Sequence, residues 1–190
     1  MADTAMIGSI PTAFGTFGAT LTPAGVGRLT FATEPLDECA AWARRWEPGA
    51  RIVRDDGALA PLAAELVAYF AGELRVFTTP VDMRGTPFQV VVWRALADVP
   101  HGETRSYAQI AAAIGRPKAV RAVGAANGAN PVPILTPCHR IIGSGGTLTG
   151  YAGGLALKER LLALEGTRPR LPRTMRTTHT PRQPSLFGGE

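Results

Sequence analysis

Three prolines within seven residues, Pro131, Pro133 and Pro137, constrain this chain more than any other feature. Proline lacks an amide hydrogen and clashes with the turn before it, so the segment NPVPILTPCHRII (130–142) suits neither a helix interior nor a central strand. Ile134, Leu135, Ile141 and Ile142 call for burial, and Pro137 pushes Thr136 toward extended backbone before a turn. A rigid, largely apolar setting results, with Cys138, His139 and Arg140 at its centre. Apolar burial raises a thiol pKa and neighbouring cations lower it, so a reactive thiol needs the second effect or a nearby base. An imidazole that accepts the thiol proton, oriented by a carboxylate, is the general form of an activated nucleophile. A buried structural cysteine fits the same Cys-His pair. Nearby Cys or His partners for a metal site are lacking.

The chain has 190 residues, enough for one average domain or two small ones, and 45% of them are hydrophobic. Its net charge of +5 is unevenly spread. Residues 1–82 are acidic, 83–166 basic and 167–190 basic again. Between Arg105 and Arg140 stand Arg105, Arg116, Lys118, Arg121 and Arg140 with no acid among them, a patch suited to phosphates. No run is long and apolar enough for a membrane span, and the start MADTAMIGSI has no export pattern, so a cytoplasmic protein is expected. Cys39 and Cys138 read as free thiols.

The patterning predicts an α/β (α+β) fold in two parts. In residues 1–82, the first ten look frayed. Phe17–Ala32 reads as a β-hairpin around a Thr-Pro-Ala-Gly turn, Leu36–Trp46 and Leu62–Phe70 as helices, and Val76–Thr79 as a strand. Pro80–Pro87 looks like a linker. Residues 83–166 are mainly helical: Pro87–Ala97, then a helix capped at Thr104 or Ser106 and running to Ile114, then Lys118–Asn127 after the break Gly115-Arg116-Pro117. The last two form a helix-turn-helix pattern, which on spacing alone an ordinary helical hairpin matches as well. The second of them carries almost no bulk: Ala119, Ala122, Gly124, Ala125 and Ala126 surround one long side chain, Arg121. Such a helix can press its backbone into a minor groove with Arg121 as a wedge, or pack closely on another helix.

The run GTPFQVVVWRAL, the segment SYAQIAAAIGRPKAVRAVGAANGANPVPILTPCHRIIGSGG and the closing GYAGGLALKERLLALEG resemble the O6-alkylguanine-DNA alkyltransferases, also called methylated-DNA–protein-cysteine methyltransferases. The resemblance covers residues 85–166 nearly without gaps, and PCHR in this setting is highly specific. It implies DNA repair: double-stranded DNA is approached from the minor groove and an O6-alkylguanine, or by the same chemistry an O4-alkylthymine, is flipped out of the stack. Its alkyl group then passes irreversibly to Cys138, one lesion per molecule and with no cofactor.

The resemblance also assigns residues. His139 would act as base through a water, and Glu165 would orient it. Tyr107 would donate toward the flipped base as its charge develops. Asn130 would tie the recognition helix to the loop of Cys138. Arg121 would fill the vacated stack, with Ser106, Arg116, Lys118, Ala122, Gly124, Ala125 and Arg140 also on DNA. Pro133, Ile141, Tyr151, Ala152, Gly153 and Lys158 would line the base pocket. Ala152 stands where some relatives carry serine. Some relatives bind zinc in the N-terminal part; residues 1–82 hold only Cys39 and no His, so no metal is expected. A non-catalytic sensor of alkylated DNA and a Cys-His hydrolase are the competing readings.

Residues 167–190, with four prolines and five arginines, read as a flexible basic tail. Its Gln183, Leu186 and Phe187 resemble the short motif by which bacterial repair proteins dock on the DNA sliding clamp.

Overall fold

The computed structural model describes residues 4–168. The tail motif at Gln183–Phe187 lies outside them. Strands β1 (Thr4–Thr12), β2 (Gly15–Thr22), β3 (Gly25–Leu29) and β4 (Arg51–Arg54) form one sheet in the order β3-β2-β1-β4. β1–β2 and β2–β3 are antiparallel, whereas β4 joins β1 in parallel.

Helix α1 (Asp37–Trp46) makes the crossover to β4, with acids in its first turn and arginines in its last, matching the helix dipole. It covers one face of the sheet, where Thr20 donates to the Cys39 carbonyl. That approach needs Gly27: a Cβ there would come within 2.0 Å of the Trp42 ring. Helix α2 (Ala60–Phe70) covers the other face, packing Leu62, Leu66, Tyr69 and Phe70 on Ile10, Phe17 and Ala19. Alternation along β2 thus serves both layers.

The frayed start expected from the sequence is instead one of the sheet's two inner strands from Thr4 onward. Gly8 and Pro11 blur its apolar pattern. Pro11 is tolerated because β4 pairs only with Thr4–Ile7, leaving the proline's other edge unpaired. β4 escaped notice because two apolar residues between two arginines make a short signal. No strand forms at Val76–Thr79: the Glu65 carboxylate takes the Thr78 and Thr79 amides and both hydroxyls, satisfying groups that a neighbouring strand would otherwise bind. The expected linker is pinned to the sheet by a Val81–Val26 bridge.

The second part stacks α3 (Pro87–Ala97), α4 (Tyr107–Ala113) and α5 (Val120–Gly128). Thr86 and Ser106 each close a capping box, with Gln89 and Gln109 returning the bond. α5 begins at Val120, and Lys118 and Ala119 belong to the turn before it. Val92, Trp93 and Leu96 meet Ile110, Ala111, Val123 and Ala126 in a common core, and Trp93 Nε1 donates to the Ala126 carbonyl. After α5 the chain runs through a proline loop to a 3-10 turn at Cys138–Arg140. It then pairs Ile141–Ile142 (β6) with Arg105–Ser106 (β5) and ends in α6 (Leu155–Leu164). Val132, Ile134 and Leu161 share a core with the sheet and α2, so apolar packing is continuous across the two parts. No helix among the described residues is long and apolar enough to cross a membrane.

Candidate active site

The proline loop is braced before it reaches Cys138. Asn130 donates through Nδ2 to the Thr136 carbonyl at 2.8 Å and accepts the Val132 amide at 3.1 Å, closing the loop upon itself two residues beyond the α5 end. Ile134, fully buried, takes φ +75, a left-handed conformation that a β-branched residue adopts only under constraint, and the Leu135 amide bonds back to Pro133. Parallel pairing of β6 with β5 then sets the Cys138 turn beside the start of α4.

Cys138 is buried and borders a small cavity of about 20 Å³, room for one water, shared with Phe31, Asn127, Asn130, Pro133, Tyr151 and Ala152, among others. Burial pushes its thiol up, and the Asn130 amide and the Lys158 ammonium oppose that. Two polar atoms of this lining, Asn127 Oδ1 and the Tyr151 hydroxyl, are buried with no nitrogen or oxygen partner among the described residues.

Beside the thiol, His139 Nε2 lies 2.9 Å from Glu165 Oε1, with both side chains sealed from solvent. Burial pushes the Glu165 carboxyl up, but hydrogen bonds from His139 and Arg140 overcome this and hold it well below the usual carboxylate range. An ionised carboxylate only accepts, so the imidazole must donate from Nε2. Its Nδ1 therefore carries the lone pair, and that atom is buried with no hydrogen-bond partner among the described residues. Burial pushes the imidazole down, keeping it neutral. The centre thus holds a buried thiol beside a neutral base with its accepting nitrogen free.

The sequence-predicted residues fall into three groups. Asn130, Pro133, Cys138, Tyr151 and Ala152 meet at the cavity. Lys158, Ile141 and Gly153 stand one layer behind. Lys158 is fully buried, donates to the Ile141 and Thr149 carbonyls, and is pushed by burial down to about 8. Gly153 faces Phe31, whose ring a Cβ would approach to 2.7 Å.

The third group forms the outer surface. Arg116, Lys118, Arg121, Ala122 and Ala125 are exposed, while Gly124 lies over the Tyr107 ring. Tyr107 opens α4 and its hydroxyl accepts from Thr149 at 3.3 Å. Ser106 uses its oxygen to cap that helix.

Arg140 corrects the sequence reading. Expected on DNA, it is buried, with its guanidinium on Glu165 and on the Val99 carbonyl. Sequence reasoning also missed Phe31, Tyr69 and Asn127. The first two were read as ordinary hairpin and helix residues, and nothing local distinguishes them. Asn127 sits on the buried face of an otherwise small-residue helix, a signal that could have been noticed.

A helix-turn-helix with a bare outer face, set against a buried thiol and a carboxylate-held imidazole, defines a DNA-binding protein built for nucleophilic chemistry. The comparisons agree. Residues 87–167 match the family model described as 6-O-methylguanine DNA methyltransferase, DNA binding domain. An inducible methylated-DNA–protein-cysteine methyltransferase of Bacillus subtilis is 52% identical over 132 residues, 70% of this chain and 74% of that one. One from Mycobacterium tuberculosis is 49% identical over 149 residues, 78% of this chain and 87% of the relative. The crystal structure of Mycobacterium tuberculosis OGT in complex with DNA superposes with TM-score 0.74 at 41% identity, covering 86% of this chain and 95% of that one. This chain belongs to the methylated-DNA–protein-cysteine methyltransferase family. An archaeal O6-methylguanine-DNA methyltransferase, at 23% identity and TM-score 0.61, shares the fold.

Proposed function

We propose that the protein repairs DNA by moving the alkyl group of O6-alkylguanine, and by the same chemistry O4-alkylthymine, onto Cys138 in a single irreversible turnover. The observation that carries this reading is the free Nδ1 of His139, whose Nε2 is held by Glu165, next to a buried thiol at a cavity wall. Residues 83–166 would bind DNA and perform the chemistry, while residues 1–82 would support them.

The alkyl carbon lies inside the duplex, so the nucleotide must leave the stack, and a lesion that weakens pairing lowers that cost. The exposed small face of α5 suits a minor-groove approach, with Arg121 entering the gap and Arg116, Lys118 and Ser106 on phosphates. Through one water, His139 Nδ1 takes the Cys138 proton. The thiolate then forms a sulfur–carbon bond as the carbon–O6 bond breaks, and that electron pair remains on guanine. Tyr107 donates toward the base as this charge develops, and the proton balance closes through solvent. The thioether offers water no leaving group, so the protein is consumed. No step calls for a cofactor.

Intact mass after mixing with a duplex containing O6-methylguanine tests the reading: a gain of one methyl, about 14 Da, mapped to Cys138. An unchanged mass with retained binding would favour a sensor of alkylated DNA instead, and catalytic turnover of an ester would favour a hydrolase. A finer proposal concerns the tail, where Gln183, Leu186 and Phe187 would dock on a sliding clamp and raise the local concentration at DNA. A labelled peptide of residues 180–190 that binds the clamp no better than its Leu186→Ala/Phe187→Ala form would remove that role.

A further inference from the structure

Tyr69 stands on α2, outside the residues 87–167 that the family model matches. Yet its hydroxyl donates to Glu165 Oε1 at 2.6 Å and lies 3.3 Å from His139 Nε2. The ring is fully buried, packed against Phe70 and Phe77 with His101 edge-on, so the hydroxyl reaches the carboxylate in a fixed geometry. Folding alone does not require that oxygen. A phenylalanine fills the same space, and Glu165 would keep Arg140 and the Gly102 amide.

We propose that Tyr69 is a positioning residue for alkyl transfer: by capping Glu165 Oε1 it sets how strongly that carboxylate grips the His139 imidazole, and so the basicity of Nδ1. The proposal rests on the transfer to Cys138 inferred above. Three donors converge on Oε1, from Tyr69, His139 and Arg140. Hydrogen bonds to the ionised form lower a carboxylate's affinity for protons. With the Tyr69 donor removed, the carboxylate becomes more basic and better stabilises an imidazolium, so His139 keeps a proton to higher pH. The other charged or titratable groups around His139 are Arg140 on the same turn, Lys158 from α6, Cys138, and His101 beyond the Tyr69 ring. All of these stay in place when the tyrosine becomes phenylalanine.

The test is the single-turnover transfer rate of full-length protein on an O6-methylguanine duplex, measured against pH. Tyr69→Phe should move the acid limb of the profile upward by about half a pH unit or more, with DNA affinity unchanged. In a Glu165→Gln background the same substitution should move nothing further. Superimposed profiles, or an equal shift in both backgrounds, would overturn the proposal. Should Tyr69→Phe fail to fold, 3-fluorotyrosine at position 69, a stronger donor of the same shape, should move the limb downward, and an unmoved limb would again overturn it. A parental protein that transfers nothing refutes the alkyltransferase reading itself, whereas an active parent with an unmoved limb sinks only the role of Tyr69.

Discussion

His139 and Glu165 are held 2.9 Å apart, ring nitrogen to carboxylate oxygen, in a space closed to solvent on both sides. Arg140 completes the arrangement with its guanidinium on both oxygens of the carboxylate. Removing the carboxylate therefore strands a buried guanidinium. Glu165→Ala should lower stability by about 3–5 kcal/mol, since the partner charge loses its compensation. Glu165→Gln, which keeps the shape, should be milder. Chemical denaturation of both variants checks this, and equal stability of Glu165→Ala and the parent would refute it.

The same pair gives a pH dependence of stability. The folded His139 resists protonation more than an unfolded histidine, and the folded Glu165 more than an unfolded glutamate. Stability should thus fall with acid in two stages, from about pH 6.5 and again from about pH 4.3, where the unfolded chain begins to bind protons that the folded state refuses. Melting temperature across this range is the measurement. Glu165→Gln should flatten the lower stage.

Cys138→Ala or Cys138→Ser should abolish transfer while leaving DNA affinity within about twofold, because the thiol is buried and makes no phosphate contact. Mass spectrometry and a binding titration together decide it. Transfer near the parental rate by either variant would refute the assignment.

Asn130→Ala removes both bonds that brace the proline loop: the buried Val132 amide loses its partner, and the Thr136 carbonyl keeps only the Cys138 amide. A stability loss of about 2–3 kcal/mol should follow, accompanied by slower transfer as the Cys138 turn loosens. A variant as stable and as fast as the parent would show that the loop needs no such brace.

Arg121→Ala should reduce extrusion of the damaged base more than overall affinity, read from a fluorescent base analogue at the lesion. Lys118→Ala should instead weaken binding uniformly and lower the salt dependence by about one charge. Identical effects of the two substitutions would argue that both are simple phosphate ligands.

Much of the second part was legible because its signals are local. The cap expected at Thr104 or Ser106, which falls on Ser106, the glycine–proline break before α5 and the prolines around Cys138 act over a few residues, and local propensity decided them. The Cys-His pair and the bare face of α5 could likewise be read from neighbouring residues. Long-range partnerships could not. Tyr69 and Glu165 are 96 positions apart, and the hydroxyl's role exists only where α2 meets α6. Arg140 looked like a phosphate ligand because a charged side chain in a basic stretch is usually exposed; burial beside Glu165 reversed that. Thr78 and Thr79 had strand propensity, but a carboxylate 13 and 14 residues earlier satisfied their amides first. The sequence by itself determined most of the helices and the rigid loop around Cys138, since each follows from steric and hydrogen-bonding limits on adjacent residues, whereas the role of Cys138 as nucleophile was implied by the family resemblance. Only the tertiary structure decided which buried charges face each other, because that depends on packing between elements whose contacts leave no local trace.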